Sequence, residues 1–430
     1  MLLKRNSYRV AIYILILSII IALRDIAGLE INKILIIAFC TGCFLTASYE
    51  ELVEELFFTF PLLCGLPGNY IMPIALILMM VKKRKISKKP IILFTYFTFV
   101  ELLSAILWTN FEIMKEVGYL VNLFLFFVLI YNNNDYKIDK CLSLYVLGLS
   151  FVSFIIICST LVNAPSNWLS LMSLGYFRFG NVDAVGDNDM RMTLNANALA
   201  YYSITGLSCS ITLLSIKKQK NFVLFINMII LVFAGILSLS RTWFLCMAVL
   251  LLLVTVVNIH KLRKWFKSIF FVCCVLLFFC FIADNFTDLT TGVLTRFTRS
   301  DLSNANGRID IIYIYWNRFW NNIRFIPFGT GVIGHNYVLG VEKSIHNSLL
   351  QLLVCYGVVG FAIFLKAWLS PVLSQIGKCK SACWIPFICV FLYSLGTQIV
   401  NPSGLLFPQL VAVLSLQLSN KESEKGGIDD

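Results

Sequence analysis

Long apolar runs separated by short polar segments recur along the whole chain. Runs near 10–23, 31–47, 90–107, 113–131, 141–161, 194–216, 221–237, 242–258, 268–283, 345–369, 384–400 and 405–419 approach the roughly 20 residues that cross about 30 Å of hydrocarbon. The segment 56–81 is broken by Pro61, Pro67-Gly68-Asn69 and Pro73, so it reads as two tilted spans or as one re-entrant hairpin. Either choice leaves an even number of spans, about twelve to fourteen, with both termini on one side. The pattern predicts an all-α, polytopic integral membrane protein forming a single membrane domain over 1–430.

Two polar segments interrupt the pattern at length, 162–193 and 284–344. Loops this long are uncommon unless they work. Within the second, Ile309, Ile312, Tyr313, Trp316, Phe319, Trp320 and Ile323 recur at spacings of three and four. That predicts an amphipathic helix near 309–323, with Asn317, Arg318, Asn321 and Arg324 on much of its other face. Such a helix either lies at the outer membrane interface or packs on the membrane domain. The chain shows no internal repeat of the kind that marks inverted-repeat transporters.

Composition sharpens this picture. Apolar residues make up 59% of the chain and charged residues 13%, which excludes an ordinary soluble domain. A net charge of +12 would point to nucleic acid in a soluble protein, but here the lysines flank spans, and no nucleic-acid partner is expected. The 14 cysteines fall almost wholly inside apolar runs without metal spacing, so they read as small core residues. The first run follows Lys4, Arg5 and Arg9 and is succeeded by Arg24-Asp25 without a small-residue cleavage site, which reads as an uncleaved first span.

With the N-terminus inside, the lysine clusters at 82–89, 217–220 and 261–267 face the cytoplasm, as the positive-inside rule requires. Arg178, Arg191, Arg241, Arg296, Arg299, Arg308, Arg318 and Arg324 fall on the outer side, where that rule disfavours cations. A guanidinium can grip phosphate through two bonds, which is a reason to keep arginines there. Arg241 lies between two apolar runs, where it faces a polar cavity, pairs with an anion or snorkels to the interface. Arg308 follows Asn304-Ala305-Asn306-Gly307, either as a phosphate-binding turn or as a solvated helix start.

Among the three histidines, His260 reads as a solvated cytoplasmic residue and His335 as part of a glycine-rich loop. His346 precedes the run 349–369, at a helix N-terminus whose dipole favours a neutral, proton-accepting imidazole. The competing reading is a polar capping cluster made by Ser344, His346 or Asn347. Glu101 is an intramembrane carboxylate that serves a site or pairs with a neighbouring helix. Glu50, Glu51, Glu54 and Glu55 read as a solvated face. Nucleotide loops, His-Glu-x-x-His sites and serine-nucleophile motifs are missing from the sequence, and no cofactor or metal is expected.

Three segments in order carry a resemblance: Ser240-Arg241-Thr242, then Gly307-Arg308 with the aromatic helix running on to Ile326-Pro327-Phe328-Gly329-Thr330-Gly331, then His346-Asn347-Ser348-Leu349-Leu350-Gln351 with Gly357 and Gly360. Asn195-Ala196-Asn197-Ala198 is a weaker fourth. The set resembles the O-antigen polymerase and O-antigen ligase superfamily of bacterial envelope glycosyltransferases, over roughly 190–370. That resemblance implies a metal-independent enzyme in the bacterial cytoplasmic membrane, with its site on the outer face. It would polymerise oligosaccharide repeat units carried on undecaprenyl or another polyprenyl diphosphate into O-antigen, capsule or exopolysaccharide. Arg241 and Arg308, with Arg191, would hold the diphosphate, and His346 would activate the acceptor hydroxyl. Arg318, Arg324, Asn347 and Trp316 are candidate acceptor or glycan contacts, and Trp168, Tyr176 and Trp320 could stack on sugars. Donor and acceptor are then both lipid-linked, with membrane lipid and a chain-length regulator protein as further partners. A ligase delivering finished glycan to a final acceptor is the nearest rival. A lipid-linked oligosaccharide flippase is the rival from another class, and it would need no reactive histidine and no long outer loop.

Overall fold

A computed structural model describes residues 2–83, 86–108, 113–163, 178–180, 191–217, 222–257, 308–397 and 406–418. Sixteen α-helices and one two-stranded ribbon make up its regular structure. The helices are α1 (Leu2–Asp25), α2 (Lys33–Thr46), α3 (Tyr49–Thr59), α4 (Gly68–Lys82), α5 (Lys88–Trp108), α6 (Ile113–Tyr131), α7 (Ile138–Asn163), α8 (Ala196–Lys217), α9 (Phe222–Leu237), α10 (Arg241–Val257), α11 (Arg308–Trp320), α12 (Phe325–Phe328), α13 (His335–Val338), α14 (Ser348–Leu373), α15 (Trp384–Ser394) and α16 (Phe407–Ser415). The chain is thus an all-α polytopic membrane protein. Among the described residues four helices are long and apolar enough to cross a bilayer, at Lys88–Trp108, Ile138–Asn163, Ala196–Ile216 and Ser348–Leu373, and further apolar helices are shorter. The expected span at 268–283, the loop residues 284–307 and the lysine cluster at 261–267 lie outside the described residues, as do His260, Trp168 and Tyr176.

The middle of the bundle is formed by α3, α7, α8 and α9, with α15 and α16 packed against α8. Ser48 opens α3 with a reciprocal capping box to Glu51, which satisfies two helix-start donors at once. The expectation of a solvated glutamate face there is corrected. Glu51, Glu54 and Glu55 are buried, and Arg9 pairs with Glu51 and Glu55 while Lys140 pairs with Glu54. Buried carboxylates are retained when such cations and hydrogen bonds compensate them. The segment 56–81 resolves into the end of α3, a 3-10 turn at Phe60–Cys64 and α4.

Helix α11 corrects a second expectation. It spans Arg308–Trp320, and its buried residues are Ile311, Tyr315 and Phe319. The residues at Ile309, Tyr313, Trp316, Trp320 and Ile323 are exposed instead. The aromatic spacing marked the face turned away from the protein, where tryptophan and tyrosine suit a membrane interface. The buried stripe joins Phe325, Leu339, Ile345, Leu350, Leu353 and Val354 in a separate small core. Each large apolar side chain buried there contributes about 1.5–3 kcal/mol, and together they fix α11 against the first half of α14.

That half of α14 is set off by a break. Gly357 sits at φ 65° and ψ −176°, a region essentially reserved for glycine. The interruption frees carbonyls that the turn at Thr330-Gly331 then uses. Thr330 N–H donates to Val354 O at 3.0 Å and Gly331 N–H donates to Cys355 O at 3.0 Å. Non-helical backbone at this depth is tolerated because protein satisfies it.

Candidate functional site

The site is built from helix starts. Asn195 ends a short ribbon in which Arg178–Gly180 pairs antiparallel with Thr193–Asn195. Its side chain then caps α8 by accepting from Ala198 N–H at 2.8 Å. The turn between α9 and α10 is drawn tight by Ser238, whose hydroxyl donates to Gly235 O at 2.6 Å and accepts from Ser240 N–H at 3.3 Å. Leu239 takes a left-handed φ of 47° within it. Trp243 lies flat against Gly235, where any Cβ would overlap its ring, and its indole donates to Ser203 Oγ at 2.8 Å. These contacts set the position of Arg241 at the first residue of α10.

Asn347 caps α14, its Oδ1 accepting from Leu350 N–H at 2.9 Å. Its Nδ2 donates to Leu395 O at 3.2 Å, and Ser348 Oγ donates to Thr397 O at 2.7 Å. The turn after α15 is therefore tied to the start of α14. Arg308, at the start of α11 as described, donates from Nη1 to Gly396 O at 3.2 Å. Gly396 also lies against Thr242. Beneath them Tyr393 donates to Asn197 O at 2.8 Å, and Ser240 Oγ stands 3.3 Å from the Tyr393 hydroxyl. The starts of α8, α10, α11 and α14 thus meet around one region, and the positive ends of helix dipoles favour anions.

The electrostatics match that geometry. Burial lowers the affinity of the Arg308 guanidinium for its proton; Tyr393 opposes this and the nearby charge of Arg241 adds to it. Arginine stays charged regardless, so two like charges are held together in a partly buried place. Burial pushes His346 below the ordinary histidine range, and the charge of Arg308 pushes it further. The lowered proton affinity favours the neutral imidazole, and His346 is only half-buried.

Of the residues singled out from sequence, Arg241, Arg308, His346 and Asn347 come together here. Asn347 spends both polar atoms on the fold. Arg191 lies beside Asp25, close enough for its charge to act on that carboxylate, in a group where Arg24 donates to Asp25 and to Gly65 O. Arg318 sits almost three turns along α11 from Arg308 and donates to the carbonyls of Leu339 and Gly340. Arg324 is exposed beyond the end of α11, and Trp316 is exposed and packed on Trp320 at 5.5 Å. Glu101 accepts from Val332 N–H at 3.0 Å and so holds the glycine-rich turn. His335 is buried and donates from Nδ1 to Val332 O at 2.8 Å. Tyr393, Ser240, Asn197 and Gly396 escaped sequence reasoning as site residues. Ser240 and Asn197 stood only within the segments that carry the resemblance, and the signal for Tyr393 and Gly396 was the polar interruption of the last apolar runs at Gly396-Thr397.

Fold and site together define a helical membrane protein with a cluster of cationic and polar groups at converging helix starts. Residues 226–365 match the family model described as O-antigen ligase, which supports membership of that stretch in the O-antigen ligase and polymerase superfamily. The matched stretch contains Arg241, Arg308 and His346. The family is enzymatic, of ligase or polymerase type, and implies lipid-linked oligosaccharide substrates. Nothing among the curated proteins or the solved structures matches the chain.

Proposed function

We propose that the protein is a polymerase that joins polyprenyl-diphosphate-linked oligosaccharide repeat units at the outer face of the bacterial cytoplasmic membrane. One observation carries this reading: Arg241 and Arg308 stand close enough for like-charge repulsion, at helix starts, beside a His346 of lowered proton affinity. Two guanidinium groups at adjacent helix starts favour an anion, and a diphosphate offers paired oxygens to both forks.

The reaction then follows from the residues. The acceptor hydroxyl oxygen bonds to the anomeric carbon of the donor sugar while the bond from that carbon to the diphosphate oxygen breaks. The hydroxyl proton passes to His346, and the electron pair leaves with the diphosphate, where Arg241 and Arg308 stabilise it. Charge stabilisation at a leaving group in a water-poor pocket is commonly the largest catalytic contribution. General-base assistance adds typically 10²–10⁴-fold.

The lipid-linked glycans of a deletion strain test the polymerase reading. Accumulation of single repeat units at the outer face is expected. Long chains left unattached on the lipid carrier would instead identify a ligase, and accumulation on the cytoplasmic side would identify a flippase.

A further inference from the structure

At the end of α14 opposite the site lies a cavity of about 470 Å³. It is lined by Lys89 of α5, by Tyr131, Asn133 and Asn134 after α6, and by Ser370, Ser374 and Gln375 at the end of α14. Among the described residues none of its lining side chains is acidic. Lys89 lies over the Tyr131 ring at 5.5 Å, and the tyrosine hydroxyl is itself engaged, donating to Ala367 O at 2.8 Å. Asn133 Nδ2 donates to Gln417 Oε1, Ser374 Oγ to Pro371 O and Gln375 Nε2 to Ser374 Oγ, so the donors the lining presents to an anion are the Lys89 ammonium, the Ser370 hydroxyl and the Asn134 amide.

Its rim is apolar on both sides. Ile91 and Ile92 on α5, and Leu373 and Ile376 beside Ser374 and Gln375, are all exposed large hydrophobics. A soluble anion has no use for them, whereas the acyl chains of a bound amphiphile can pack along such faces by van der Waals contact. We propose that this cavity binds the phosphodiester headgroup of an anionic membrane phospholipid, with its acyl chains along α5 and the end of α14. Roughly 39 Å of helix, at 1.5 Å per residue over the 26 residues of α14, separate it from His346. On the topology proposed above it opens to the cytoplasmic leaflet, where anionic lipids collect on basic pockets between helices. The cavity is separate from the proposed diphosphate site, and the proposal stands whether or not that site is catalytic.

The test uses the purified full-length protein in neutral detergent, titrated with phosphatidylglycerol, phosphatidylcholine or inorganic phosphate while thermal unfolding and native mass are followed. Phosphatidylglycerol is expected to raise the midpoint and to remain bound, and phosphatidylcholine and phosphate to do neither. Removing one lysine contact of about 1 kcal/mol should weaken phosphatidylglycerol about fivefold in Lys89→Gln, with binding kept in Lys89→Arg. Lys88→Gln, an equal charge change at a neighbouring residue outside the cavity lining, should bind as wild type. Equal stabilisation by phosphatidylcholine, or by inorganic phosphate, would overturn the anionic-lipid assignment. Equal weakening in Lys88→Gln and Lys89→Gln would reduce the effect to general surface charge and overturn the site. Should Lys89→Gln fail to fold, Ser370→Phe, at an exposed lining position, must block phosphatidylglycerol binding or the proposal falls.

Discussion

A base works best when its proton affinity sits near or below the working pH, and His346 is brought there by burial first and by Arg308 second. On the proposed mechanism activity requires the neutral ring, so it falls as pH drops through the folded pKa. That pKa lies below the ordinary value of about 6.5. Replacing Arg308 by Gln removes one depressing cause. The acid limb of the rate profile should then move to higher pH while the overall rate drops, measured as glycan transfer across a pH series. An unmoved limb would mean that His346 does not carry the titration. The three principal residues were legible in sequence because a polar group inside or beside an apolar run is costly and stands out. Tyr393 and Asn197 were not, because a contact across 196 positions leaves no local trace and a tyrosine near a helix end looks like an interface anchor.

At the scale of elements, the site depends on backbone docking. Gly329 and Gly357 both have positive φ, and a Cβ on Gly329 would come within 2.3 Å of Cys355 O, while one on Gly357 would meet Pro327 backbone at 2.5 Å. Gly357→Ala should therefore cost about 3 kcal/mol from conformation alone and lower the melting midpoint clearly. Gly42→Ala in α2, where nothing lies within 4 Å, should leave it unchanged or slightly higher. Equal midpoints for the two variants would show that the turn does not need its close approach. The break itself was not readable from hydropathy, because the run through 352–365 is apolar throughout and a glycine within it suits a continuous span equally well. The amphipathic helix was readable, but its face was not. Period alone locates an apolar stripe, and here two stripes exist, one packed through Tyr315 and Phe319 and one exposed through Tyr313 and Trp316.

For the whole molecule, the distribution of charge sets the expected sidedness. The lysines at 82–89 and the outer segment containing α11 lie on opposite sides in the proposed topology, as the positive-inside rule demands. Single cysteines introduced at Lys88 and at the exposed Glu342, in a background lacking the native thiols, should label differently in intact cells. Glu342→Cys should react with an impermeant maleimide, and Lys88→Cys only after lysis. The reverse pattern would remove the outer-face reaction. The central claim is that Arg241, Arg308 and His346 act as one site, and it is tested most directly by glycan chain length in a deletion strain carrying each variant, normalised to protein in the membrane. Arg241→Lys and Arg308→Lys keep the charge but lose the two-pronged grip, and His346→Ala loses the base. All three should abolish long chains at normal protein levels, while His260→Ala supports wild-type length. Wild-type chains from both His346→Ala and Arg308→Lys would contradict the account.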